Sequence, residues 1–169
     1  MAGKRFGILA AMLGIALAHA ISVAQEPLVG DPDHHAVRPP AVTFLYPEQV
    51  TLPAGTATKV ELHFRVAPGL HINSHNPSVP ELIPTTLTIP DGSGARLESV
   101  VYPPGAQFAL PIDPKTRLSV YTGEFTIKAR IVATAGNHLV EARLRYQACD
   151  DSVCMPPKTI TVAIDVTGN

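Results

Sequence analysis

Apolar and polar residues alternate most regularly over residues 59–66, where the sequence reads KVELHFRV. Every second residue is apolar, namely Val60, Leu62, Phe64 and Val66, and the residues between them are charged or polar. Because successive side chains of a strand point to opposite faces, this period of two predicts a β-strand with one buried face.

Similar apolar-rich runs continue along the chain, separated by Pro and Gly residues. They cover residues 85–89, 95–102, 120–133, 138–148 and 158–166. No stretch of ten or more residues has the period of an amphipathic helix. Seven or eight short strands with this spacing of turn signals predict an all-β domain over residues 42–169. The expected fold is an immunoglobulin-like antiparallel β-sandwich.

The first 20 residues have the pattern of a secretory signal peptide. Positive charges at residues 4–5 precede an apolar run of 12 residues, 6–17, and a small-residue pattern ends at Ala20. Cleavage is expected there, or as late as Ala24. Since a membrane-spanning helix needs roughly 20 apolar residues, we expect a periplasmic protein with no stable membrane insertion after cleavage.

Residues 25–41 are rich in Pro and charge without an apolar period, which predicts a flexible lead into the domain. Removal of the signal peptide leaves 11 basic and 14 acidic residues, a net charge of −3 with neutral histidines. This balance gives no electrostatic footprint for nucleic acid or for an anionic membrane.

The only two cysteines lie in the sequence YQACDDSVCMPPKT, residues 146–159. The four residues between them fit a hairpin loop, which would place the Cα atoms within the roughly 4.4–6.8 Å that a disulfide tolerates. Cys149 has the strand parity of the polar residues before it. Unless a bulge intervenes, its sulfur should point away from the core, toward solvent or a covering element.

The residues themselves leave two roles open for this pair. As a structural staple, its six-residue loop would contribute only about 2 kcal/mol, against about 4.7 kcal/mol for a 100-residue loop. As a redox dithiol it would not activate itself, because Asp150 and Asp151 disfavour a thiolate and the loop has no Lys, Arg or His. A docking partner would have to change that environment.

The cysteine segment YQACDDSVCMPPKTITV resembles the hairpin of the N-terminal periplasmic domain of the thiol:disulfide interchange protein DsbD. PGLHINSHNPSVPELIPTTLTI, residues 68–89, is similar to an earlier region of that domain, and the resemblance extends over residues 42–166. It implies an immunoglobulin-like module that accepts electrons from a transmembrane or thioredoxin-like donor. The acceptors would be periplasmic disulfide proteins of the disulfide isomerase or cytochrome c maturation type.

The same resemblance implies roles for individual residues. Cys154 would attack the partner's disulfide and Cys149 would resolve the mixed disulfide, with no metal and no organic cofactor. A cap over the cysteines would correspond to residues 106–119, with Phe108 or Leu110 as the lid. The remaining candidates flank the pair: His71 and Asn73, for which an ordinary polar strand face is the alternative, and Asp150, Asp151 and Pro156.

The sequence contains no membrane-spanning region beyond the signal peptide and no thioredoxin-like domain. We therefore expect either a free-standing redox module, of protein-disulfide reductase type, that works with a separately encoded transmembrane reductase, or a relic that has kept the fold and lost the electron-transfer circuit. The first alternative is a non-catalytic secreted immunoglobulin-like binding module whose disulfide is a passive support. The second is Cu(I) binding through soft sulfur ligands, with the candidate ligands Cys149, Cys154, Met155 and either His71 or His75.

Overall fold

The computed structural model describes residues 39–46, 48–111 and 113–169. The expected signal peptide, and residues 25–38 of the expected lead, lie outside these ranges. Within them the chain forms twelve β-strands and no helix. The described part of the chain accordingly offers no helix that could cross a membrane.

Two four-stranded sheets form the body of the domain. The first sheet contains, in spatial order, β1 (Val42–Phe44), β3 (Thr58–Val66), β9 (Glu124–Ala133) and β6 (Ala95–Val101). The second contains, in spatial order, β2 (Glu48–Leu52), β12 (Lys158–Gly168), β10 (Gly136–Tyr146) and β5 (Thr86–Thr88).

The order of these strands is that of an immunoglobulin domain. Immunoglobulin strands A, B, E and D form one sheet, and C, F and G form the other. If β1, β3, β5, β6, β9, β10 and β12 are lettered A to G in chain order, the first sheet reads A-B-E-D and the second contains G-F-C. The sequence prediction of an all-β, immunoglobulin-like sandwich is therefore confirmed. One exception to antiparallel pairing among the described strands is β2, which lies parallel to β12.

The core lies between the two sheets and follows the predicted alternation. Val60, Leu62, Phe64 and Val66 are at most 4% exposed, and they belong to one cluster with the inward residues of β9, β10 and β12. Strand β10 alternates in the same way, with buried apolar residues on one face and exposed charged residues on the other. Burial of these apolar faces provides the main driving force for folding.

The apolar run at residues 120–133 is two strands, whereas the sequence predicted one. Strand β8 (Asp113–Tyr121) ends within the first two residues of this run, and β9 begins after a turn at Gly123. The φ angle of Gly123 is 56°, a left-handed conformation that residues with a Cβ atom rarely adopt. The carbonyl of Gly123 accepts a hydrogen bond from the Val66 amide at 2.8 Å. This turn separates β8 from the sandwich sheets.

A third sheet connects the loops at one end of the sandwich. It contains, in spatial order, β11 (Ala148–Cys149), β4 (His71–Asn73), β8 and β7 (Ala106–Leu110). Strand β4 lies in the B–C connection, β7 and β8 lie in the D–E connection, and β11 lies in the F–G connection. The segment expected to be a cap loop, residues 106–119, is thus a β-hairpin paired through β8 to β4.

Candidate redox site

The two cysteines form a disulfide across the mouth of a hairpin. Cys149 and Cys154 are joined, and their Cα atoms lie 4.0 Å apart, just below the range expected from the sequence. The Met155 amide donates to the carbonyl of Ala148 at 2.8 Å, which continues the antiparallel pairing beyond the disulfide. The hairpin predicted from the four-residue spacing is confirmed.

Asp150 shapes the loop between the cysteines. Its Oδ1 atom accepts hydrogen bonds from the backbone amides of Ser152 and Val153, both at 2.8 Å. Its own amide donates to the Val153 carbonyl at 3.0 Å. A side chain that satisfies two consecutive amides fixes a turn locally, so Asp150 holds the short loop in the geometry that aligns the cysteines. Asp151, next along the loop, is exposed.

The two cysteines differ in solvent exposure. Cys149 is 2% exposed, whereas Cys154 is exposed. Strand β10 ends before Gln147, and both Ala148 and Cys149 are buried, so the simple alternation does not continue into β11. Cys149 lies outside the main apolar cluster. Strand parity predicted that the Cys149 sulfur would point either toward solvent or toward a covering element. The burial of Cys149 outside the core shows that another part of the chain covers it.

An apolar pocket of about 250 Å³ adjoins the disulfide. Both cysteines line it, together with Leu110 from β7 and Leu118 from β8. The lid candidate Leu110 therefore shares a pocket with the disulfide. Phe108, two residues earlier on the same strand, lies instead against the ring of His71.

His71 lies directly opposite Cys149 in the pairing of β4 with β11, so the two side chains share a face. It is 2% exposed, and its Nε2 atom has no hydrogen-bond partner among the described residues. The ring of Phe108 packs on the imidazole at 4.3 Å between centroids. Burial lowers the pKa of His71, and the charges of Asp151 and Asp150 oppose that effect in part. The interpretation of His71 as part of an ordinary polar strand face is wrong.

The same interpretation is wrong for Asn73, which is fully buried. Its Nδ2 atom donates to Oε1 of Gln147 at 3.1 Å and to the Ile83 carbonyl at 3.0 Å. Gln147 Oε1 also accepts from the Ile83 amide at 3.2 Å, and its Nε2 atom donates to the Met155 carbonyl at 3.3 Å. Gln147 therefore joins β4, the segment at Ile83 and the cysteine hairpin.

Gln147 was not among the residues singled out from the sequence. A signal was present, because a neutral amide follows three charged residues on the outer face of β10 and stands two positions before Cys149. Two other predicted residues lie at the edge of the site. Asp151 lines a pocket of about 550 Å³ with Phe108 and His71, and Pro156 is exposed beyond Cys154.

The proposed copper ligands are only partly brought together. His71 shares a pocket with both cysteines, but His75 is engaged elsewhere. Its ring stacks on Tyr102 at 3.7 Å, and its Nδ1 atom lies 2.9 Å from the Thr85 carbonyl oxygen. No group of three or more His, Cys, Asp or Glu side chains that could hold a metal occurs in the described ranges.

A disulfide with one buried and one exposed partner lies at the end of an immunoglobulin-like sandwich, an arrangement that suits a module for thiol–disulfide exchange. The family model described as "Thiol:disulfide interchange protein DsbD, N-terminal" matches residues 41–166. The chain belongs to this family of periplasmic domains, and the resemblance found over residues 42–166 is confirmed.

Among solved structures, the chain matches the crystal structure of the Neisseria meningitidis DsbD N-terminal domain in the reduced form. The TM-score is 0.45, with 20% sequence identity over 68% of this chain and 82% of that chain. The comparison with curated proteins gives no match.

Proposed function

We propose that this protein is a periplasmic electron relay. In its reduced form it reduces the disulfides of other periplasmic proteins, of the disulfide isomerase or cytochrome c maturation type. A transmembrane or thioredoxin-like donor then reduces the Cys149–Cys154 disulfide again. Export would follow from the signal peptide, cleaved after Ala20 or as late as Ala24. Family membership and the bonded cysteine pair support this proposal.

The difference in exposure between the two cysteines supports the order of reaction that we propose. The Cys154 thiolate attacks the partner's disulfide, a bond from Cys154 to the partner forms, and one partner sulfur leaves as a thiolate. Cys149 then attacks Cys154, the intramolecular disulfide forms, and the second partner sulfur leaves. Two electrons pass to the partner, and each departing thiolate takes up a proton. Cys154 performs the first attack because it is the exposed member of the pair.

The hairpin keeps the second step fast once the mixed disulfide has formed. With a Cα separation of 4.0 Å, Cys149 is already within bonding reach of Cys154. Holding two reacting groups in position converts a bimolecular step into an effectively unimolecular one. The partner is consequently released rather than retained.

Cysteine variants expressed in a periplasm test the proposal. In Cys149→Ala, Cys154 should remain bonded to its partners, because no resolving sulfur is present. Non-reducing gels after acid quench and alkylation should then show partner adducts. Cys154→Ala is the matched control, since it retains one cysteine but the buried one, and it should give few adducts.

A passive disulfide gives a different outcome in the same experiment. Neither variant would form adducts above the level of the double variant Cys149→Ala/Cys154→Ala. Alkylation of the unmutated protein would also find the pair fully bonded, with or without the host's reductant pathway. That result would establish the non-catalytic binding module in place of the relay.

A further inference from the structure

The proposed relay needs only the two cysteines. It does not explain why the buried imidazole of His71 lies beside the buried Cys149. We propose that His71 accepts the proton of the Cys149 thiol when Cys149 attacks the mixed disulfide. This inference rests on the proposed function and names the group that accelerates its second step.

Cys149 needs such a group because of where it lies. Only a thiolate is an effective nucleophile in disulfide exchange. At 2% exposure, the thiol of Cys149 has little access to water as a proton acceptor. Burial and the neighbouring carboxylates of Asp150 and Asp151 both disfavour a negative charge on sulfur. A neutral base in the same buried site can accept the proton and so make deprotonation of the Cys149 thiol easier.

His71 is placed to be that base. It is the cross-strand partner of Cys149, and both residues line the pocket beside the disulfide. Its Nε2 atom is buried without a hydrogen-bond partner among the described residues, an arrangement that costs stability and that folded proteins usually avoid. The disulfide carries no S–H group. An unpaired Nε2 in the oxidised form is expected if its partner is the proton of the reduced Cys149 thiol.

The charged groups around His71 suit a base that is neutral at rest. The carboxylates of Asp150 and Asp151 approach from the cysteine hairpin, while β7 presents the uncharged ring of Phe108. Arg65 and Glu124, across the neighbouring pocket, are paired with each other. Burial keeps the imidazole neutral before the step, and the two carboxylates stabilise the imidazolium once it forms.

The step balances within the complex. The proton moves from the Cys149 sulfur to Nε2 of His71, and the sulfur attacks Cys154. The Cys149–Cys154 bond forms as the bond between Cys154 and the partner breaks, and its electron pair leaves on the partner sulfur. The imidazolium then returns its proton to the departing thiolate or to solvent. No further oxidant or reductant takes part.

Glutathione disulfide is a suitable test substrate because it requires no protein partner. The reduced protein is mixed with it, samples are quenched with acid, and mass spectrometry follows the glutathione adduct as it forms and decays. In His71→Phe, which keeps an aromatic ring against Phe108, adduct formation should remain within about twofold of the unmutated protein. Adduct decay at pH 7 should slow by about 10- to 100-fold, at or below the lower range for general base catalysis.

Two further variants make the result specific. His71→Gln keeps a polar side chain but lacks a base, and it should show the same slow decay. If His71→Phe does not fold, as judged by circular dichroism, His71→Gln decides the question. His63→Gln removes a histidine from the outer face of β3 and should leave both steps unchanged. In both His71 variants the decay rate should rise with pH throughout, because deprotonation then depends on solvent hydroxide.

The possible outcomes separate this inference from the relay itself. Adduct decay at the unmutated rate in both His71 variants would overturn the role of His71 and leave the relay standing. Equal slowing of formation and decay would also overturn it, since a structural role predicts that pattern. If Cys149→Ala forms no glutathione adduct through Cys154, the relay fails and the role of His71 fails with it.

Discussion

Replacement of Gln147 by Ala tests whether the hydrogen bonds of its side chain stabilise the third sheet and the cysteine hairpin. The side chain makes three contacts: it accepts from the Asn73 side chain and the Ile83 amide, and it donates to the Met155 carbonyl. A hydrogen bond in a partly buried site contributes about 0.5–1 kcal/mol net. Loss of all three should lower the free energy of unfolding by about 1.5–3 kcal/mol.

Chemical and thermal unfolding of the oxidised protein measure this loss. For a domain of this size the melting temperature should fall by roughly 5–12 °C. Arg145→Ala is the matched control, because it removes an exposed side chain from the same face of β10. It should change stability by less than about 0.5 kcal/mol. If Gln147→Ala falls within that same margin, the hydrogen bonds around Gln147 do not stabilise the site and the reasoning is wrong.

Three further predictions follow from the site. Removal of the disulfide in Cys149→Ala/Cys154→Ala should cost only about 2 kcal/mol, because the enclosed loop is short. Leu144→Ala in the fully buried core should cost more, about 2–5 kcal/mol; urea unfolding that reverses this order contradicts the loop argument. The oxidised protein should lose stability as the pH falls below about 6.5, because the pKa of His71 is lowered in the fold and the unfolded chain therefore binds the proton first. Thermal melts between pH 5 and 7.5 should show that this part of the pH dependence is absent in His71→Phe, and an unchanged slope would refute it. Leu110→Ala opens the pocket beside the disulfide and should make reduction of the disulfide by dithiothreitol several-fold faster, whereas Val101→Ala, at an exposed site on β6, should have no effect; equal rates in the two variants would exclude Leu110 as a lid.

Much of the sandwich could be predicted because long strands with one buried face carry a clear alternation. Strands β3, β10 and β12 have nine to eleven residues each, enough for several periods. Strands β4 and β11 have three and two residues, too few for any period to be visible. These two strands of the third sheet were therefore missed. Strand β8 has nine residues, but its first five positions carry no buried residue, so it has no alternation there either.

The cysteine pair could be predicted because hairpin pairing depends on local spacing. The burial of His71 and Asn73 could not, because it depends on β8 and β11, which are distant in sequence. Gln147 was missed for the same reason, since its partners lie in β4 and at Ile83. Contacts that join short strands from separate loops leave no periodic mark in the sequence.

The direction of the last strand matters for any experiment that fixes the protein to a support. Lys158 pairs with Tyr146, beside the cysteines, and Gly168 pairs with Gly136 at the other end of β10. At about 3.3 Å per residue, the chain travels roughly 33 Å along β12 before it reaches Asn169. A linker or fluorophore joined after Asn169 would therefore lie at the opposite end of β12 from the cysteines and leave Cys154 exposed. A label on β1 would lie nearer the cysteines, because the Tyr146 side chain forms a hydrogen bond with the backbone of Val42.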